Sequence, residues 1–211
     1  MSSSRENILR RLRQACENRN RPEPEKPDLR TSVYAETKGR LDALFQERFE
    51  AVSGIVIRVQ QLTNAIDQIS RLSEKEKWTR LFCQDRRFQQ AMQDKCHWTD
   101  EEAGFPELQA GITPCEFLIA RLGSVLVSSG ADTGRKLHVF PPVHIVIAHK
   151  AQLVDQLEEA LALLQKRYPN RLPSVITNIT GPSRTADIEK TLVKGMHGPR
   201  KIIVILCDQS F

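Results

Sequence analysis

Residues 174–207 read SVITNITGPSRTADIEKTLVKGMHGPRKIIVILC. Val175, Ile176 and Ile179 make a short β-rich apolar run, and Gly181-Pro182 stops it. From Ser183 through Ala186, Ile188, Leu192 and Val193 the spacing is roughly helical and predicts a short helix. Asp187 and Glu189 suit the positive end of its dipole, and Lys194 followed by Gly195 suits its C-terminus. After His197, Gly198-Pro199 turns the chain into residues 202–206, IIVIL. Such an uninterrupted apolar run belongs to a strand covered on both faces, and hence to a parallel sheet.

The turn before the predicted helix reads as an anion site. A helix N-terminus offers free N–H groups, to which Ser183, Arg184 and Thr185 add two hydroxyls and a fixed positive charge. Simple capping by Ser183 or Thr185 accounts for the same residues. His197 has no carboxylate or cysteine in its own turn to mark it as a base or ligand. A second candidate is the loop SSGADTGRK, where Gly130 and Gly134 allow backbone to approach a ligand and Arg135 and Lys136 supply charge. A plain β-hairpin connection is the alternative there. Neither a Walker loop nor a GxGxxG run occurs.

Going back along the chain, Ser2–Ser4 can cap an amphipathic helix that runs to about Glu17, with Ile8, Leu9, Leu12 and Ala15 on one narrow stripe. That stripe needs a surface to dock on, either a second copy of the chain or another partner. Residues 18–28, NRNRPEPEKPD, form an extended linker. This divides the chain into a basic arm, residues 1–30, and one globular domain, residues 31–211.

Within the domain, apolar periodicity predicts a helix from about Lys38, a strand at 55–59, a helix from Leu62 and a short strand at 81–83. A weaker helix holds Phe88 and Met92, and residues 97–106 are irregular. Strand-like pieces follow at 117–119, 124–128, 137–140 and 143–149, then a helix from Leu153 that ends before Pro169. Alternation of this kind indicates a three-layer α/β/α domain with a mostly parallel sheet.

The net charge of +5 gathers early, with six arginines among the first 21 residues. No groove-reading motif or interleaved aromatics accompany them, so a solvated helix face is expected and nucleic acid is not. The longest apolar run is far too short for a membrane span, and the N-terminus lacks the apolar core of a secretory signal, which points to a cytoplasmic protein. Five scattered cysteines with no CxxC pair suggest neither an iron–sulfur cluster nor structural zinc, so no metal or other cofactor is expected.

GPSRTADIE followed by the GMHGP turn and an apolar strand resembles the C-terminal signature of the LUD-domain family, and GITPCEFLIARLGSVLV and HVFPPVHIVIA resemble its middle. The resemblance implies the fold shared by ribose-5-phosphate isomerase, CoA transferases and formyltetrahydrofolate cyclo-ligase, with ligands at loop ends. It also implies a part, like that of lactate-utilisation protein C, in oxidising L-lactate to pyruvate beside separate iron–sulfur proteins. A small anionic metabolite or a nucleotide is the ligand expected at Gly181, Ser183, Arg184, Thr185, His197, Arg135 and Lys136. Where relatives carry an acidic residue this chain has Arg121-Leu122, so covalent glutamate chemistry at that position is not expected and an anionic ligand is favoured. Two alternatives stand beside this: an isomerase- or cyclo-ligase-like enzyme on a phosphorylated or folate-like substrate, and a non-catalytic interaction subunit.

Overall fold

The structure is a computed structural model that describes residues 4–17, 34–35, 37–92, 107–130, 136–186, 192–195 and 197–211. The chain divides between Glu36 and Thr37. In the first part, α1 (Ser4–Glu17) has Ile8, Leu9 and Leu12 exposed. The boundary expected near residue 30 lies outside the described residues.

The second part begins with α2 (Leu41–Ala51), β1 (Ile55–Val59), α3 (Leu62–Glu76), β2 (Leu81–Cys83), α4 (Arg86–Met92) and β3 (Ala110–Pro114). There follow β4 (Phe117–Ile119), β5 (Ser124–Ser128), β6 (Val143–His149), β7 (Leu153–Val154) and α5 (Leu157–Arg167). The last strands are β8 (Ile176–Ile179), β9 (Arg184–Ala186), β10 (Leu192–Lys194) and β11 (Lys201–Cys207).

Five strands form a wholly parallel sheet in the order β1-β11-β6-β3-β2. Residues 202–207 are buried throughout, as the apolar run requires. Side chains alternate across this strand. Ile203, Ile205 and Cys207 meet Ile66 and Ile69 of α3 and Phe88 of α4, while Ile202, Val204 and Leu206 meet Phe45 and Phe49 of α2. Helices therefore cover both faces, as the alternation predicts.

A second sheet, β7-β4-β5-β8, shares the α2 side, with α5 packed on its far face. Gly123 makes the join between α2 and this sheet. Its φ is +57°, and a Cβ there would lie 2.4 Å from the backbone carbon of Arg48.

Several local expectations change. Residues 183–194 hold no helix among the described residues. Instead β9 and β10 pair antiparallel, with Thr185 opposite Val193 and Arg184 opposite Lys194. Thr and Val suit strand pairing, which overrides a loosely helical spacing. Residues 137–140 form a turn, because Pro141-Pro142 has no N–H groups for a ladder and β6 can begin only at Val143. Leu153 opens β7, and α5 begins at Leu157. β3, which has no β-rich signature, pairs with both β2 and β6. Residues 97–106 lie outside the described residues, as do Cys96 and the arm's linker. No helix among the described residues is long and apolar enough to cross a membrane.

Candidate functional site

The carboxyl ends of a parallel sheet are where open α/β folds hold ligands, because the connecting loops diverge there. Here those ends surround a cleft of about 550 Å³. Asp85 follows β2, Cys115 and Glu116 follow β3, His149 ends β6, and Phe211 lies beyond β11.

Glu116 anchors the cleft and is only 3% exposed. Its Oε1 accepts from Ser128 Oγ at 2.6 Å and from the Tyr168 hydroxyl at 2.8 Å, and its Oε2 accepts from Arg167 Nη1 at 2.5 Å. A buried carboxylate so supplied with donors is a fixed negative charge rather than a free base. Burial first, and then Glu116, push the Tyr168 phenol above its ordinary value, so it stays protonated and donates.

Gln152 braces the same corner. Its Nε2 donates to the Cys115 carbonyl at 2.5 Å, while its Oε1 accepts the His149 backbone N–H at 2.9 Å. Asp85 accepts from Arg87 Nη2 at 2.7 Å and from the Arg87 backbone N–H at 2.9 Å. Burial works to raise the Asp85 carboxyl, but Arg87 and nearby backbone N–H groups outweigh it and hold it below the usual carboxylate range.

Each acid of the cleft thus has one arginine, and Arg86 has no ion-pair partner among the described residues. The His149 imidazole is held below its ordinary value by burial, then by Arg167 and Arg87, so it is neutral at pH 7. Its Nδ1 is buried without a hydrogen-bond partner among the described residues. The cleft can attract an anion, orient it against a neutral imidazole, and exclude like charge at Glu116.

The residues singled out from sequence lie elsewhere. Gly181, Ser183 and His197 share a separate cavity of about 280 Å³. Arg184 turns toward the end of α2, where it donates to the Val52 carbonyl and, at 3.1 Å, to Ser53 Oγ. The Ser183 N–H is spent on the Pro199 carbonyl at 2.9 Å, so that donor is not free. Thr185 sits in β9, Lys136 is exposed and lines neither cavity, and Gly134 and Arg135 lie outside the described residues. Arg121 Nη2 donates to Asp155 Oδ2 at 3.1 Å and to Thr37 Oγ1 at 2.7 Å, which ties that guanidinium to the fold. His144, in β6, has its Nε2 2.8 Å from Thr113 Oγ1.

Sequence reasoning missed Glu116, Arg167, Tyr168 and His149. The available signal was a carboxylate directly after an apolar strand, together with histidine at the end of another.

Comparison with known proteins agrees with this fold. A crystal structure of a DUF162 family protein from Deinococcus radiodurans superposes with a TM-score of 0.59, at 18% identity, covering 79% of this chain and 96% of that one. A Bacillus subtilis protein named lactate utilization protein C is 38% identical over 102 residues, which is 47% of this chain and 42% of the relative. The chain thus spans less than half the length of that relative. An uncharacterized protein of Neisseria meningitidis is 28% identical over 189 residues, 84% of this chain and 71% of that protein. The LUD domain profile itself matches residues 43–207, and the chain belongs to the LUD domain family.

Proposed function

We propose that this protein is a cytoplasmic component of L-lactate oxidation to pyruvate, working with separate iron–sulfur proteins and binding a small organic acid anion in the Glu116 cleft. The relatives named lactate utilization protein C support the pathway. The observation that carries the anion is the spare guanidinium. Asp85 and Glu116 are each matched by one arginine, and Arg86 is left to pair with a ligand carboxylate.

The test is calorimetric titration of the wild type and Arg86→Ala with L-lactate and with pyruvate. Loss of a charge-assisted contact of roughly 1.5–3 kcal/mol weakens binding about ten- to a hundredfold. Equal affinity in the two proteins rejects the cleft as the anion site.

A second reading, an isomerase- or cyclo-ligase-like enzyme, draws on His149. A neutral imidazole beside a bound anion can accept a proton from it. Solvent deuterium incorporation into a bound 2-hydroxy or 2-oxo acid, lost in His149→Gln, is its signature.

A further inference from the structure

The second cavity, beside the start of β11, has a different chemistry from the Glu116 cleft. No Asp, Glu, Lys or Arg among the described residues lines its 280 Å³. Val127, Val175, Ile179 and Ile202 supply apolar walls, and Thr177, opposite Val127 on β8, stands exposed at its edge. A net charge placed there would lose its water and meet no counter-charge, which is costly. The volume lies just under the range usual for drug-sized ligands, so a body of one or two rings fits.

One wall carries an unanswered polar group. His138 is 8% exposed, and neither ring nitrogen has a hydrogen-bond partner among the described residues. Its ring is set edge-on to His144, with centroids 5.4 Å apart, and Thr113 in turn holds His144. Burial pushes the His138 imidazole down to about 4, so at pH 7 it is neutral, with one nitrogen a donor and the other an acceptor. An aliphatic chain would leave His138 and Thr177 unanswered, and a sugar would waste the valine and isoleucine walls. A flat apolar body with donors and acceptors on its edge satisfies both.

We propose that this cavity is a second binding site, independent of the Glu116 cleft, for an uncharged heteroaromatic ring of nucleobase size that hydrogen-bonds through its edge to His138 and Thr177.

The test uses the full chain, with adenine, uracil and nicotinamide as probes and nicotinate as the charged counterpart of nicotinamide. Binding is read by saturation-transfer NMR and competition. At least one neutral probe is expected to bind, and nicotinate about tenfold or more weaker than nicotinamide. Thr177→Trp fills the cavity from an exposed position and His138→Phe removes the ring nitrogens in nearly the same shape. Each is expected to weaken binding about tenfold or more, while Arg86→Ala leaves it unchanged. Should His138→Phe fail to fold, Thr177→Trp decides alone. No binding by any of the three neutral probes, unchanged binding in Thr177→Trp, or equal binding of nicotinate each overturns the proposal.

Discussion

Arg167 at the end of α5 donates to the Glu116 carboxylate at 2.5 Å across 51 residues of sequence, and the two differ sharply in exposure. The arginine side chain is 47% exposed and the glutamate side chain 4%. Removing the arginine therefore leaves a buried charge held, among the described residues, by Ser128 and Tyr168. Arg167→Ala is expected to cost about 1–3 kcal/mol in urea denaturation. Glu116→Gln, which keeps the shape and removes the charge, should cost less. A larger loss in Glu116→Gln than in Arg167→Ala would show that the carboxylate, not its compensation, holds this corner.

Two buried histidines set the acid limit. Burial pushes His138 down to about 4, and burial together with His138 pushes His144 down to about 3. Both start from 6.5 in the unfolded chain, which therefore binds more protons than the folded one below that pH. Their contribution is fully present above pH 6.5 and falls as pH drops toward the folded values, by up to about 1.4 kcal/mol per pH unit for each. Denaturation at pH 7.5, 6 and 5 should show this slope, to which His149 adds in the same direction, and His138→Phe should reduce it. A flat profile over that window refutes the assignment.

Arg184→Ala separates the two readings of that residue. Because its guanidinium caps the carbonyl end of α2 through Val52 and Ser53, the variant should lose about 0.5–1.5 kcal/mol of stability and keep its affinity for anions. Unchanged stability with weakened anion binding would restore the expectation drawn from sequence.

Gly123→Ala should be among the more damaging single changes. The positive φ alone costs about 1–3 kcal/mol for a residue with a side chain, and the Cβ would strike the Arg48 backbone rather than a side chain able to move aside. A thermal midpoint equal to wild type would contradict the close approach of α2.

Deleting residues 1–28 should leave the domain's thermal midpoint nearly unmoved, since every buried hydrophobic residue described lies between Phe45 and Cys207. Differential scanning calorimetry of the shortened chain checks this.

The parallel sheet was legible because its evidence is local. Five apolar residues at 202–206 and the β-branched run at 143–149 announce buried strands on their own. β3 was not legible, since Gly111 and Pro114 disfavour strands and only pairing with β2 and β6 on its two sides makes them one. Residues 183–194 misled for the opposite reason: a spacing compatible with a helix says nothing of the partner strand that captures it. The site needed tertiary information. Glu116, His149 and Arg167 are far apart in sequence, and nothing in their own neighbourhoods shows that the ends of β3, β6 and α5 meet. Gly181, Ser183 and His197 line one cavity, separate from the Glu116 cleft.

The position of β11 in the sheet bears on how the chain comes off the ribosome. β1 is made early but among the described residues has only β11 as a sheet neighbour, and β11 is also the strand that joins it to β6. Until residue 207 has left the exit tunnel, β1 has no ladder partner and the faces of β6 and Phe45 that β11 covers stay bare. Vectorial synthesis therefore cannot assemble this domain piece by piece from its N-terminus. The nascent chain must hold an unpaired strand and an open apolar edge until almost the whole domain exists, and that edge is open to mispairing for as long.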